Sequence, residues 1–340
     1  MIDIIIPAYN AHNTIEKTLL SIVMQNICDK VKVYIVNDNS EQNYSLIIKK
    51  FENFLNIKEL VLKENKGPGY ARQYGIDNSN SEYIFFIDAD DVLYDCFSLN
   101  NLYCLRDNYD VIIGQIYDEK NNSIYVHQGC LHGKLYRREF LEKNNIRFND
   151  SRNHEDHSFN QLCLLSNSNV VYSNDIIYYY YYYEKSESKK AYSNYDLDSM
   201  YEYVENIKWV LDLSIDRKYD KSKIANLVFN SVCYLYSNYC YNINLDDSNI
   251  ILRESKKLYD YYVKYEKLID IESKKMIYYN FVGQIIPPIS LNEFILKINS
   301  LKWVDFFYKK HKKGLIFIVF YCIILNVWQA KMCEVVDTPG

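Results

Sequence analysis

Two acidic clusters in the first half of the chain are placed to do chemistry. In the first, Asp88 and Asp90 flank Ala89, and Asp91 follows, directly after the apolar run Tyr83-Ile84-Phe85-Phe86-Ile87. Carboxylates this close repel one another unless a cation lies between them or water solvates them. Mg²⁺ and Mn²⁺ suit oxygen ligands and are commonly shared with substrate phosphates. A solvated acidic turn has the same sequence, so the cluster alone leaves both readings open. In the second cluster, Glu155-Asp156 sits within Asn153-His154-Glu155-Asp156-His157-Ser158-Phe159. A carboxylate within hydrogen-bond reach of a hydroxyl can take its proton as the oxygen attacks. An acidic pair at a helix N-terminus is favoured by the helix dipole whatever its chemistry. His154 and His157, with Asp88 and Asp90, raise the idea of a zinc hydrolase, but their spacing matches no zinc pattern.

These residues need elements to hold them. Ile2–Ile6 is a continuous apolar run, as expected of a strand covered on both faces. Asn13-Thr14-Ile15-Glu16 fits a capping box and predicts a helix from there to about Gln25. Strands are predicted over Val31–Val36, Glu59–Leu62 and Tyr83–Ile87, and helices over Tyr44–Phe54 and Pro68–Asp77. This βαβαβαβ order implies a mostly parallel sheet with helices on both faces. Ligands of such sheets bind beyond the carboxyl ends of the strands. Pro7-Ala8-Tyr9-Asn10 closes the first strand, Val36-Asn37-Asp38-Asn39-Ser40 closes the second, Asn65-Lys66-Gly67-Pro68-Gly69-Tyr70-Ala71-Arg72 opens a helix after the third, and the acidic cluster ends the fourth.

This ordered set resembles the family 2 glycosyltransferases, whose fold is GT-A: a Rossmann-like, mostly parallel sheet with flanking helices. The family's signatures are an apolar strand into P-x-Y-N, a V-[DN]-D-x-S turn, N-x-G-x-x-x-A-R, D-x-D-D, and E-D-x-x-F further on. The likeness covers roughly residues 1–190 and departs mildly at Asn37, where Asp is common. It implies an inverting, metal-dependent enzyme moving a sugar from a UDP-sugar donor to the hydroxyl of a surface polysaccharide, teichoic-acid-like polymer or other glycoconjugate. It implies that Pro7, Ala8, Tyr9 and Asn10 line the base and ribose, that Asp38 accepts from a uracil N–H, and that Arg72 faces the diphosphate. Asn65 and Ala89 join the donor site, with Asp88 near ribose or sugar, and Asp90 with Asp88 holding Mn²⁺ or Mg²⁺. Asp156 becomes the catalytic base, with His132, Lys134 and Glu155 near sugar or acceptor. A structural role for Lys134, Arg137 and Arg138 competes with that contact.

Composition narrows the rest. Hydrophobic residues make up 49% of the 340 and the net charge is −5, so the chain reads as globular and as a poor bulk partner for nucleic acid. The nine cysteines are scattered without a CxxC pair, which reads as reduced thiols in a cytoplasmic protein, and the N-terminus has no signal-peptide pattern. Residues 1–195 are read as the catalytic domain. Residues 196–340 are read as a mainly helical region that covers it, binds acceptor or oligomerises. Within that region, the apolar residues 314–328 follow four lysines between 309 and 313. They are short for a bilayer span and read either as buried core or as peripheral membrane contact through 309–328. Tyr178–Tyr183 reads as a strand with two tyrosine faces. Dehydrogenases and nucleotidyltransferases want a glycine-rich turn after the first strand, and Pro7–Asn10 lacks it. A catalytically silent protein keeping the fold is the remaining rival.

Overall fold

In the computed structural model, residues 1–127, 129–182 and 197–235 are described, together with 257, 258 and 268. All lie within one compact unit, Met1–Ile285; a second, Ile286–Gly340, lies outside the described residues, as do the 195/196 boundary and the segment 309–328.

The first four strands are β1 (Ile2–Ala8), β2 (Val31–Asn37), β3 (Asn56–Val61) and β4 (Tyr83–Phe86). Helices α1 (Ile15–Val23), α2 (Ser45–Phe51) and α3 (Pro68–Asp77) alternate with them. All pairings among these four strands are parallel, in the order β3-β2-β1-β4. The order reverses at β1, because the β3–α3–β4 crossover returns to the other side of the starting strand. A crevice opens beyond the strand ends at such a reversal. The mostly parallel, helix-flanked sheet expected of GT-A is the architecture found.

Alternation along β1 explains its unbroken apolar run. Ile2, Ile4 and Ile6 join Ile15, Leu19 and Ile22 of α1 and Ile47 of α2 in one core. Ile5 faces the other way, where α3 packs so closely that a Cβ on Gly75 would stand 2.5 Å from Ile5 Cγ2. Both faces are covered, so both registers must be apolar.

The chain then adds β5 (Val92–Leu93), α4 (Ser98–Cys104), β6 (Val111–Asp118), β7 (Ser123–Tyr125), β8 (Lys134–Arg137), α5 (Arg138–Lys143), α6 (Glu155–Leu165) and β9 (Val170–Tyr180). Strand β8 runs antiparallel to β4 and leads into α5, completing the order β3-β2-β1-β4-β8-β6-β9-β5. Helix α6 seats Phe159 against Phe86, Tyr136 and Phe148, on the sheet face opposite the α1 core. Helices α7 (Leu197–Asp216) and α8 (Lys221–Leu235) follow, with α7 against α6. No helix among the described residues is long and apolar enough to cross a membrane.

Local details differ from the sequence reading. The capping box does not form: Thr14 Oγ1 donates to the Ala11 carbonyl at 3.2 Å, and no side chain caps α1. Strand β3 begins three residues earlier than expected, because the parallel ladder with β2 extends from Lys32↔Asn56 to Asn37↔Val61. Strand β9 does carry two tyrosine faces. Tyr178 is buried beside His132, while Tyr179 joins Tyr94, Tyr117 and Tyr181 on the other side.

Candidate active site

The site begins where strands stop. After β1, Ala8 offers its carbonyl to the Asp38 N–H at 2.9 Å, drawing the first two turns together. Asn10, in the left-handed region at φ 51°, donates its N–H to Ser40 Oγ at 2.9 Å, and its Oδ1 accepts the Glu41 N–H at 3.0 Å. Asn is among the few residues that reach this conformation cheaply. Pro7 is half-buried, Ala8 is buried, and Tyr9 stands 56% exposed at the rim. Asn37 donates to Glu59 at 2.8 Å and accepts the Ser40 N–H at 2.8 Å. An Asp in its place would set a second carboxylate against Glu59, which accounts for the departure from the family signature.

Asp38, expected to accept from a uracil N–H, already has partners within the chain. It is buried, and its two oxygens accept the N–H groups of Lys66 and Gly67, each at 2.8 Å. It therefore pins the loop ahead of α3. Gly67 carries φ 88°, which glycine adopts without strain. Asn65 is half-buried, with a buried Oδ1 that lacks a hydrogen-bond partner.

Arg72 is enclosed among carboxylates. Its side chain is 7% exposed and does not face an open phosphate site. One terminal nitrogen donates to Glu155 at 2.6 Å and the other to Asp88 at 2.7 Å. This guanidinium joins the two acidic clusters that lie 67 positions apart in the chain (155 − 88). Burial alone would raise the Asp88 carboxyl, but Arg72 and then His132 outweigh it and hold it well below the usual carboxylate range. Burial, then the neighbouring Asp156, push Glu155 upward against the pull of Arg72. The guanidinium stays charged throughout, since its carboxylate neighbours overcome the cost of its own burial.

A candidate cation set lies beside the expected Asp88 and Asp90 pair and shares Asp88 with it. Among the described residues, the set whose ligand atoms all come within 4.8 Å of one another is Asp88, Asp91 and His132. His132 Nε2 lies 3.2 Å from Asp88, and its ring stacks on Tyr178 at 4.5 Å. Asp91 is buried, accepting from the Tyr178 hydroxyl at 2.8 Å and the Tyr181 N–H at 3.0 Å. Burial raises its carboxyl to about 8, with Asp88 and Asp90 adding to the shift and His132 opposing it. Asp90 is half-buried and Ala89 buried between the carboxylates. Two carboxylates and an imidazole make a donor set that suits Mn²⁺, and the crowding of negative charge is what a cation would relieve. The donor chemistry fits a divalent metal. His132 was expected near sugar; its place beside the aspartates had no short-range sequence signal.

Lys134 takes the structural alternative. It is 1% exposed, and its ammonium donates to the carbonyls of His127 and Cys130, so it braces the loop before β8. Arg138 has the structural role anticipated for this segment, bonding Asp3, Ser79, Ser81 and Ile76.

Asp156 sits half-buried in the first turn of α6, beside Glu155, and accepts its neighbour His157's N–H at 2.6 Å. The base candidate thus stands one residue from the group that Arg72 ties to Asp88.

Residues 3–161 match the profile described as glycosyl transferase family 2. They form a family 2 glycosyltransferase domain with the GT-A fold. Over 202 residues the chain is 27% identical to the poly(ribitol-phosphate) beta-N-acetylglucosaminyltransferase TarP of Staphylococcus aureus, covering 51% of this chain and 60% of TarP. Over 206 residues it is 27% identical to the glycosyltransferase GlyA of Streptococcus pneumoniae, covering 51% of this chain and 29% of GlyA. The chain thus spans less than two thirds of the length of either relative. The crystal structure of S. aureus TarS 1-349 in complex with UDP-GlcNAc aligns with a TM-score of 0.68 at 19% identity, covering 82% of this chain and 86% of that one. That likeness is one of fold.

Proposed function

We propose that the chain transfers a sugar from a UDP-sugar to a hydroxyl of a polysaccharide or related glycoconjugate, with inversion at the anomeric carbon. The observation that carries this is the Arg72 bridge, which brings the acidic strand end and the base-bearing helix to one rim. The names of the relatives and the nucleotide-sugar held by TarS support the donor and acceptor classes.

Asp156 takes the proton of the acceptor hydroxyl as its oxygen bonds to the anomeric carbon. The bond from that carbon to the phosphate oxygen breaks, and UDP leaves with the electron pair. Pro7 to Asn10 border the nucleotide, Asp38 fixes the loop beside it, and the buried Asn65 Oδ1 offers an unused acceptor there. Asp88, Asp91 and His132 would hold Mn²⁺ or Mg²⁺, with Asp90 alongside; the imidazole favours Mn²⁺. A divalent ion supplies charge stabilisation for a departing diphosphate. The free thiols among the described residues, Cys28, Cys96, Cys104, Cys130, Cys163 and Cys233, agree with a reducing, cytoplasmic setting.

A thermal-shift panel of UDP-sugars with Mn²⁺, with GDP-mannose as control, tests the donor class. Stabilisation by a UDP-sugar and not by GDP-mannose is expected, by about 2.7 kcal/mol at a hundredfold excess over Kd. No response to any uridine nucleotide would sink it.

A further inference from the structure

The segment from Asn65 to Arg72 matches the family's phosphate-side signature, yet its side chains in this molecule point to a different task. Three separate observations place it between the donor side and the base helix. Asp38 holds the loop's start through the Lys66 and Gly67 N–H groups. Gly69, in the first turn of α3, lies flush against α6: a Cβ there would be 2.6 Å from Glu155 Cγ and 3.0 Å from Glu155 Cβ. One helical turn on, Arg72 closes the contact by donating to Glu155 and Asp88 together. Its terminal nitrogens are engaged, and its Nε is buried without a partner. A guanidinium so enclosed presents little of itself to a diphosphate.

We propose that Arg72 and Glu155 are positioning residues, with Gly69 the clearance that lets them meet. Together they set the distance between the strand end at Asp88, where the donor's leaving group lies, and Asp156, where the acceptor loses its proton. This rests on the glycosyltransferase reading and sharpens it. Arg72 acts on the rate through Asp88 and the first turn of α6, and not through affinity for the nucleotide.

The geometry has a consequence that a phosphate-binding arginine would not share. Displacing α6 by a fraction of an ångström leaves the nucleotide's own contacts intact but moves the base, and a misplacement of about 1 Å can cost about 100-fold in rate. Lysine cannot replace the fork, since one ammonium does not span two carboxylates in the guanidinium's fixed geometry.

The test measures UDP release from UDP-N-acetylglucosamine with Mn²⁺, and the calorimetric Kd of UDP, for wild type, Arg72→Lys, Gly69→Ala, Glu155→Ala and Gly69→Ala/Glu155→Ala. Arg72→Lys and Gly69→Ala should each lower kcat about 100-fold while the Kd for UDP stays within about threefold. Because Glu155→Ala removes the Cγ that Gly69→Ala would strike and leaves only the 3.0 Å approach to Cβ, Gly69→Ala should cost far less in the Glu155→Ala background than in wild type. The proposal is overturned if Arg72→Lys weakens UDP tenfold or more with kcat unchanged. It is equally overturned if the two substitutions at 69 and 155 simply multiply. Should Arg72→Lys fail to fold, the Gly69 and Glu155 comparison decides the matter by itself. Failure of wild type to bind UDP at all would count against the transferase reading, whereas a normal wild type beside a normal Arg72→Lys counts against positioning alone.

Discussion

At the residue scale, the site is built from side chains whose charge is set by their neighbours. His157 is a simple case for a pH experiment. Burial lowers it to about 4, against the pull of Asp156, so the folded protein keeps it neutral where the unfolded chain would take up a proton. Between about 6.5 and 4 the unfolded state therefore binds more protons, and this contribution to stability is complete above 6.5 and lost as pH falls towards 4. Denaturant titrations of wild type and His157→Gln should show their difference in unfolding free energy shrinking by up to roughly 3 kcal/mol from pH 7 to pH 4. A constant difference would mean that His157 is not held neutral. Sequence alone located the aspartates and the Glu155-Asp156 pair, because residue type and order suffice for that. It did not foresee the partners of Asp38 and Arg72, because side-chain direction depends on residues such as Lys66 and Glu155 that lie 28 and 83 positions away.

At the element scale, buried polar contacts tie elements together, and the start of β1 is one such place. Asp3, fully buried, accepts the Ser81 N–H at 2.6 Å and Arg138 at 2.9 Å, while Arg138 also bonds the Ser81 and Ile76 carbonyls. These bonds join β1, the turn before β4 and the start of α5. Removing one partner of a buried pair leaves the other uncompensated, so Asp3→Ala should lower unfolding free energy by about 3–5 kcal/mol in urea titration. A loss below about 1 kcal/mol would show that the pair is dispensable. The bounds of α3, Pro68–Asp77, were legible because proline at a helix start and a preceding glycine are strong local signals. The start of α1 was not: Thr14 had two backbone partners within reach and took the Ala11 carbonyl instead of its own helix.

At the scale of the whole molecule, the reversal of strand order at β1 is what turns four separated turns into one rim. The alternation of strands and helices made the parallel sheet legible in the sequence, but not the strand order at which it reverses. The antiparallel β8 and the long β9 were less so, since their pairing joins segments far apart and no local pattern fixes it. The central claim is that Asp156, brought to this rim by α6, activates an acceptor for transfer from a UDP-sugar. UDP release by wild type and Asp156→Asn, on the donor chosen by thermal shift, tests it most directly. Asp156→Asn should lose about 10²–10⁴-fold in rate while still binding the donor. Wild-type turnover in Asp156→Asn would contradict the account.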